Sequence, residues 1–327
     1  MAETTIRVLE QGKGKLIQPY NMDDFRALNR DKEKALVDKR MSEQDAVKTF
    51  IKEEDYVGIE LYGTVRCPMS LTREIIRRGY KKLRTAGQGV YESDLLAAAN
   101  CIKEMDWTYI GLEVYGVSHN LRRTVESGYV ENIVEWSNAA LAWRFKAAAM
   151  GVPFLPVRSM LGTDTLKYSA SKVIECPFTG EPICLVPALI LDVGIIHVNR
   201  ADKYGNCQID GITGFSAEMA RASKRLIVSA EEIVDTDEIR KHPDRTIIPY
   251  YLVDAVVEAP FGSHPGEMNG EYERDETHIK SYFSESKDPE KVKAYLDKWV
   301  YGVKNHEDYL ELVGRDTLAA LTIRKED

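Results

Sequence analysis

Apolar positions along the chain follow two periods, and the alternation between them predicts the elements. Ser42 offers a helix N-cap with Asp45 in the capping-box position, and Ala46, Val47, Phe50 and Ile51 form one apolar stripe at helical spacing. Tyr56 to Tyr62 reads as a strand that breaks at Gly63, and Pro68 opens a helix that Gly79 closes. Further on, Trp107 to Tyr115 predicts a strand, Val130 to Met150 a long helix closed by Gly151, and Pro153 to Val157 a buried strand. Lys172 to Pro187 predicts a hairpin turning at Phe178-Thr179-Gly180-Glu181. Val193 to Val198, Leu226 to Val228 and Tyr251 to Val257 are apolar almost throughout, as strands covered on both faces are. After Pro289, Val292, Tyr295, Leu296, Trp299 and Val300 return to helical spacing. The pattern predicts an α/β fold: a central, mostly parallel or mixed sheet, helices on both faces, and a C-terminal helical appendage. We divide it into an N-terminal extension (1–40), an α/β domain (41–270) and the appendage (271–327).

Composition narrows the function classes. A chain of 327 residues with 44% hydrophobic and 29% charged residues reads as globular, without an apolar run of membrane-spanning length. The start, Met1-Ala2-Glu3-Thr4-Thr5, lacks a basic-then-apolar leader and predicts cytoplasmic residence. A net charge of −8 with only short basic clusters argues against nucleic acid as a partner. Five cysteines, none in a Cys-x-x-Cys pair, argue for reduced thiols and against a structural zinc.

Familiar self-contained sites are missing from the sequence. Gln11-Gly12-Lys13-Gly14-Lys15 lacks the Lys-Ser/Thr ending of a P-loop, and we read residues 1–40 as irregular. Gly214 to Glu218 lacks the last glycine of a nucleophile elbow. Gly87-Gln88-Gly89 lacks a third glycine and, on this reading, a preceding strand. His197 lies in the most apolar strand and reads as a core histidine, whereas His264, in Phe261-Gly262-Ser263-His264-Pro265, reads as better exposed. Glu231-Glu232 reads as a solvated face. We expect no bound metal. The strongest local feature is the turn before Pro68: a loop feeding a helix start presents N–H groups to an anion, with Gly63 allowing close approach and Arg66 adding charge.

Several segments in order resemble one family. Val186-Pro187-Ala188-Leu189, the run from Val193 through His197, Asp202 and Gly205 to Asn206, Gly151 to Val157, Val253 to Pro265, and Asn305 to Leu310 are similar to the α subunits of class I CoA-transferases of the glutaconate type. The resemblance runs from about Met41 to Thr322. It implies a heteromer with a homologous β subunit that supplies a nucleophilic glutamate, often in a Glu-Asn-Gly setting. CoA is then a substrate, with no permanently bound cofactor. The only Glu-Asn here, Glu131-Asn132, falls in the predicted helix and is followed by Ile133.

The same resemblance assigns site residues. Tyr62, Gly63, Thr64, Arg66, Pro68, Tyr115, Gly116, Ser118 and Asn138 would line the substrate and CoA site, and Ser118, Asn138 and Glu60 are the polar groups with a claim on the chemistry. Ser118 serves equally well as a helix cap. Asn138 stands where transferases carry an amide and ring-opening hydrolases of the same fold an acid. Glu60-Leu61-Tyr62 departs from the family's Gly-Gly-aromatic pattern, with Gly63 next and Pro68 retained. Tyr62, Tyr115 and Trp136 hint at a bulkier or flatter acyl group. The expectation is CoA transfer between a (di)carboxylic acyl-CoA and an acid. Ring-opening hydrolysis, decarboxylation, or a non-catalytic CoA-binding role are the alternatives.

Overall fold

The long apolar runs become the middle of one sheet. A computed structural model describes residues 6–60 and 62–323. Its strands are β1 (Val8–Gln11), β2 (Tyr56–Ile59), β3 (Leu83–Gly89), β4 (Ile102–Ile110), β5 (Asn132–Glu135), β6 (Phe154–Val157), β7 (Lys172–Glu175), β8 (Pro182–Pro187), β9 (Leu191–Asp202), β10 (Cys207–Gln208), β11 (Ser223–Val234), β12 (Thr246–Ile248) and β13 (Ala255–Glu258). In the order β13-β11-β9-β2-β3-β4-β5, each strand is parallel to its neighbour. β10 pairs antiparallel with the far half of β9 and with β12. A second, antiparallel sheet has the order β1-β7-β8-β6.

Period-two alternation divides the large sheet between two cores. Tyr56, Ile196, Val198, Leu226 and Val228 pack with α6 (Asn138–Met150) and α8 (Ser216–Ala222). Val57, Ile59, Val193, Ile195 and Ile227 face the other way, against α2 (Glu43–Phe50), α3 (Met69–Arg78) and α4 (Tyr91–Ala98). That second core also takes Tyr282 from α10 (Glu276–Glu285) and Tyr295 and Leu296 from α11 (Pro289–Leu296). The remaining helices are α1 (Met22–Asp31), α5 (His119–Glu126), α7 (Asp164–Tyr168), α9 (Thr236–Lys241), α12 (His306–Val313) and α13 (Arg315–Leu321). No helix among the described residues is long and apolar enough to cross a membrane.

Local chemistry explains the boundaries. Ser42 accepts from Asp45 N at 3.1 Å and starts α2, and Gly79, at φ 78°, ends α3. Several expectations are corrected. Val130 to Met150 is not one helix: Asn132–Glu135 forms the edge strand β5, Ser137 caps Ala140 N at 3.1 Å, and the helix begins at Asn138. Trp107 to Tyr115 lies partly in β4, which starts at Ile102 and stops at Ile110. Gly87-Gln88-Gly89 is the end of a strand, β3, with Val90 and then α4 following it. β13 starts only at Ala255, since Tyr250–Leu252 is a 3-10 turn. β6 is mostly exposed. The N-terminal extension is not irregular throughout: β1 joins the small sheet, Gly12 N donates to Ser171 O at 3.0 Å, and α1 buries Phe25. Residues 1–5, on which the reading of the N-terminus rests, and Leu61 lie outside the described residues. The five cysteines are free thiols.

Candidate functional site

Parallel strands leave their carboxyl ends on one edge, where open α/β sheets form their crevices. Here that edge receives residues 60 and 62–67 after β2, Val90 after β3, 111–118 after β4 and 136–138 after β5. Loop 62–66 closes on itself through Tyr62 N to Val65 O at 3.1 Å, with Gly63 and Arg66 both at φ 59°. Tyr62 is exposed and Thr64 is buried. The left-handed turn at Arg66 swings its guanidinium back under the strand. There Arg66 Nη1 meets Glu60 Oε2 at 2.7 Å and Nη2 meets Oε1 at 3.2 Å, both side chains being fully buried. Ser216 Oγ donates to Glu60 at 2.7 Å, and Arg66 Nε to Ile212 O at 3.0 Å. Gly214 packs so closely on Glu60 that a Cβ there would lie 2.4 Å from the carboxylate.

The charge that Arg66 was expected to offer an anion is therefore spent on Glu60. Glu60 is an internal counter-ion in turn, a pairing that a buried carboxylate needs. Nor is the start of α3 an open anion site. Pro68 is buried, and the first turn, Met69 to Leu71, lies in the core, with Ser70 N donating to Gly262 O at 3.1 Å.

The exit of β4 is more open. Gly111 and Leu112 turn into a 3-10 turn, Glu113–Tyr115, and Gly116 follows at φ 123°. Glu113 itself sits at φ 49°, a conformation that costs a non-glycine residue energy and concentrates at functional sites. Its carboxylate reaches across to the β2 loop, since a Cβ on Gly63 would lie 3.6 Å from Glu113 Oε1. Tyr109, exposed, lies beside it, its phenol pushed up by burial first and then by the Glu113 carboxylate. Burial, followed by the neighbouring Glu276 carboxylate, pushes Tyr115 up to about 12. Arg274 stands on the same rim, 2.8 Å from Glu276, 3.9 Å from Glu267 and 3.4 Å from Thr64 Oγ1.

The remaining sequence candidates divide. Asn138 is exposed at the head of α6, its Oδ1 accepting from Tyr109 N at 3.3 Å. Ser118 is buried: its hydroxyl accepts from Leu121 N at 3.2 Å as the α5 cap and donates to Asp94. Trp136 is buried away from the crevice, donating to Asp106 at 2.5 Å under the Arg144 guanidinium, so it adds nothing to an acyl pocket. Sequence reasoning missed Glu113, Tyr109 and Arg274. Glu113 lay inside a segment singled out for Ser118, but nothing in a linear sequence marks a left-handed glutamate.

Two histidines and one glutamate need correction or placement. His197 is buried between Ser229 Oγ (2.8 Å) and Glu231 Oε1 (2.6 Å). Glu231 is no solvated side chain, because it also takes Tyr272 Oη and Phe261 N at 2.6 Å each. His264 is fully buried, against expectation, because Tyr309 and Asp275 hold both ring nitrogens at 2.7 and 3.3 Å. Ligand atoms of His264, Asp275 and His278 lie within 4.8 Å of one another and are the groups on which a metal could be sought. Tyr295 already holds His278 at 2.6 Å, and Arg73 donates to His264 O at 3.1 Å, placing a positive charge beside them. We read the group as a hydrogen-bonded hub between the Phe261–Pro265 loop and the C-terminal helices.

Comparison with known proteins agrees with this architecture. Residues 40–259 match the family described as Coenzyme A transferase. The chain is similar to the A-type subunit of 3-oxoadipate CoA-transferase from Pseudomonas knackmussii, at 36% identity over 81% of this chain and 95% of that protein. Similarity to the A-type subunit of glutaconate CoA-transferase from Acidaminococcus fermentans is 32% over 87% and 95% respectively. The crystal structure of that glutaconate enzyme superposes with a TM-score of 0.83, covering 88% of this chain and 96% of that one. A decarboxylase, AibA/AibB, solved as a cysteine-to-serine variant, superposes at 0.70 with 26% identity, covering 79% and 98%. A cholesterol ring-cleaving hydrolase IpdA subunit of Rhodococcus jostii is 28% identical over 83% of this chain and 94% of its own length. With its parallel sheet, its loops gathered at the strand ends and this match over most of its length, the chain belongs to the Coenzyme A transferase family.

Proposed function

We propose that this chain is the first subunit of a heteromeric CoA-transferase whose partner supplies the nucleophilic glutamate. That glutamate attacks the acyl-CoA carbonyl, giving a mixed acyl anhydride and CoA thiolate. The thiolate then attacks the glutamyl carbonyl of the anhydride, leaving an enzyme–CoA thioester and releasing the first acid. An acceptor carboxylate runs the same two steps in reverse and departs as the new acyl-CoA. This chain contributes one wall: the Tyr62–Arg66 loop, the Glu113–Gly116 turn and the Asn138 amide.

The observation that carries the transferase reading is Asn138, an exposed, uncharged amide at the head of α6. An acid there would suit activation of water, whereas an amide donates and accepts without taking a proton. Likeness to the A-type subunits of two transferases supports the same reading. A second reading, hydrolytic C–C cleavage or decarboxylation, draws on Glu113, a carboxylate at the crevice that could serve as a base, and on likeness to a ring-cleaving hydrolase and to a decarboxylase.

Mass spectrometry of CoA species, after the assembled two-subunit complex is mixed with candidate acyl-CoA esters with and without acetate or succinate, separates the two. Transfer predicts an acceptor acyl-CoA that forms only when the acid is added. A mass gain of water or loss of carbon dioxide without an acceptor would replace transfer by the second reading.

A further inference from the structure

The crevice has an electrostatic character that bears on its substrate, given the reading that it is the acyl site. Glu113 carries a carboxylate beside Gly63 and forms no ion pair among the described residues. Arg66 is closed off under Glu60 with no exposure. Arg274 is shared between Glu276 and Glu267. Around the strand ends stand three carboxylates, Glu113, Glu267 and Glu276; Glu276 is held by both Arg274 and Lys280, the latter at 3.1 Å, while no ion pair of Glu113 is seen among the described residues. The uncharged surface between them is apolar or phenolic: Tyr62 is 49% exposed, Tyr109 44% and Val114 84%.

We propose that this site takes acyl-CoA esters whose far end is uncharged and carries a hydrogen-bond donor such as a hydroxyl, and that Glu113 enforces this by excluding a second carboxylate. Two carboxylates brought together at a partly dry site repel each other, and the nearby cations, Arg274 and Lys280, are already paired with Glu276 and Glu267. A hydroxyl in the same place donates to the Glu113 oxygen, and a hydrogen bond to an ionised acceptor is stronger than one between neutral groups. The strained backbone of Glu113 fixes where that oxygen lies, so selection depends on position as well as charge. This proposal differs from the (di)carboxylic acyl group that the family resemblance implies, and the comparison below decides between them.

The test compares two esters of nearly equal length, glutaryl-CoA and 5-hydroxypentanoyl-CoA, with the two-subunit complex and acetate as acceptor. CoA transfer is followed by mass spectrometry and kcat/KM taken for each. The native complex is expected to favour the hydroxy ester by about tenfold or more. Glu113→Gln should bring the two within about threefold, and Glu113→Lys should reverse the order, with circular dichroism and co-purification of the partner confirming assembly. A native preference for glutaryl-CoA, or a ratio that Glu113→Gln leaves unmoved, overturns the proposal. Should neither ester pass its CoA to acetate, the transferase reading fails on its own, and the dissociation constants of the same two esters by calorimetry decide the role of Glu113 by the same criteria.

Discussion

Glu92 stands in the first turn of α4 with its side chain wholly buried, accepting from Ser93 Oγ at 2.7 Å and from Val90 N at 3.2 Å. Those bonds favour the anion, yet burial outweighs them and raises the carboxyl from 4.5 to about 7. The sign of the consequence follows from proton counting. Between these two values the folded chain holds a proton that the unfolded chain has lost, so stability is highest below about 4.5 and falls as pH rises to about 7. The loss approaches ~1.4 kcal/mol per pH unit, or on the order of 3 kcal/mol across the window. Urea denaturation at pH 5 and pH 8 should therefore show a larger drop for the native chain than for Glu92→Gln; equal drops would mean that Glu92 is ionised in the fold. Sequence analysis gave Glu92 no role. Its burial depends on β3 feeding α4, and that strand was missed because Leu83 to Gly89 mixes small and polar residues. The Glu60–Arg66 pair was half visible in the same way. Both residues were singled out, but their union needs Arg66 in a left-handed turn, which no spacing reveals.

Elements with long, unbroken patterns were the legible ones. The runs in β9 and β11 and the hairpin β7–β8 follow from their apolar content and turn residues, because a strand buried on both faces has few other ways to be written. Short edge elements were not. β5 has four residues and one neighbour, so its pattern merged with the helix after it. The cap at Ser118 shows what an element can claim from a candidate site residue. Its hydroxyl serves Leu121 N and Asp94, and Asp94 also accepts from Asn120 Nδ2 at 2.7 Å and from Tyr282 Oη at 2.5 Å. Ser118→Ala should accordingly destabilise the fold by about 1–2 kcal/mol through the lost cap and the weakened carboxylate network. Its kcat/KM in the complex should stay within about twofold of native at a temperature where both are folded. Chemical denaturation and steady-state kinetics measure the two effects separately, and a large kinetic loss at unchanged stability would return Ser118 to the substrate.

At the scale of the whole molecule, the sequence divides at residue 270 but the cores do not. Tyr282, Val292, Tyr295, Leu296 and Val300 all enter the core that lies on the α3–α4 face of the sheet. Polar contacts cross the same boundary: Tyr282 hydrogen-bonds Asp94, Tyr295 meets Tyr91, Tyr309 holds His264 at 2.7 Å, and Arg73 lies 3.5 Å from the Tyr309 ring centre. Fully burying an aliphatic or aromatic side chain contributes about 1.5–3 kcal/mol, so five such residues approach the ~5–15 kcal/mol by which a whole domain is stable. A chain ending at Gly270 should thus fail to fold cooperatively, even though the whole of the family-matched segment 40–259 would be present. Size-exclusion chromatography and thermal unfolding of the truncated chain test this, and a monodisperse species with a sharp transition would show that the α/β portion stands alone. The narrower change Tyr282→Phe separates packing from polarity. It keeps the ring in the core and removes one donor to Asp94, so it should cost only about 1–3 kcal/mol and leave unfolding cooperative. If the truncated chain aggregates while Tyr282→Phe folds, the C-terminal helices act through the apolar surface they cover, and the crevice rim they support, Arg274 and Glu276 included, depends on their staying in place.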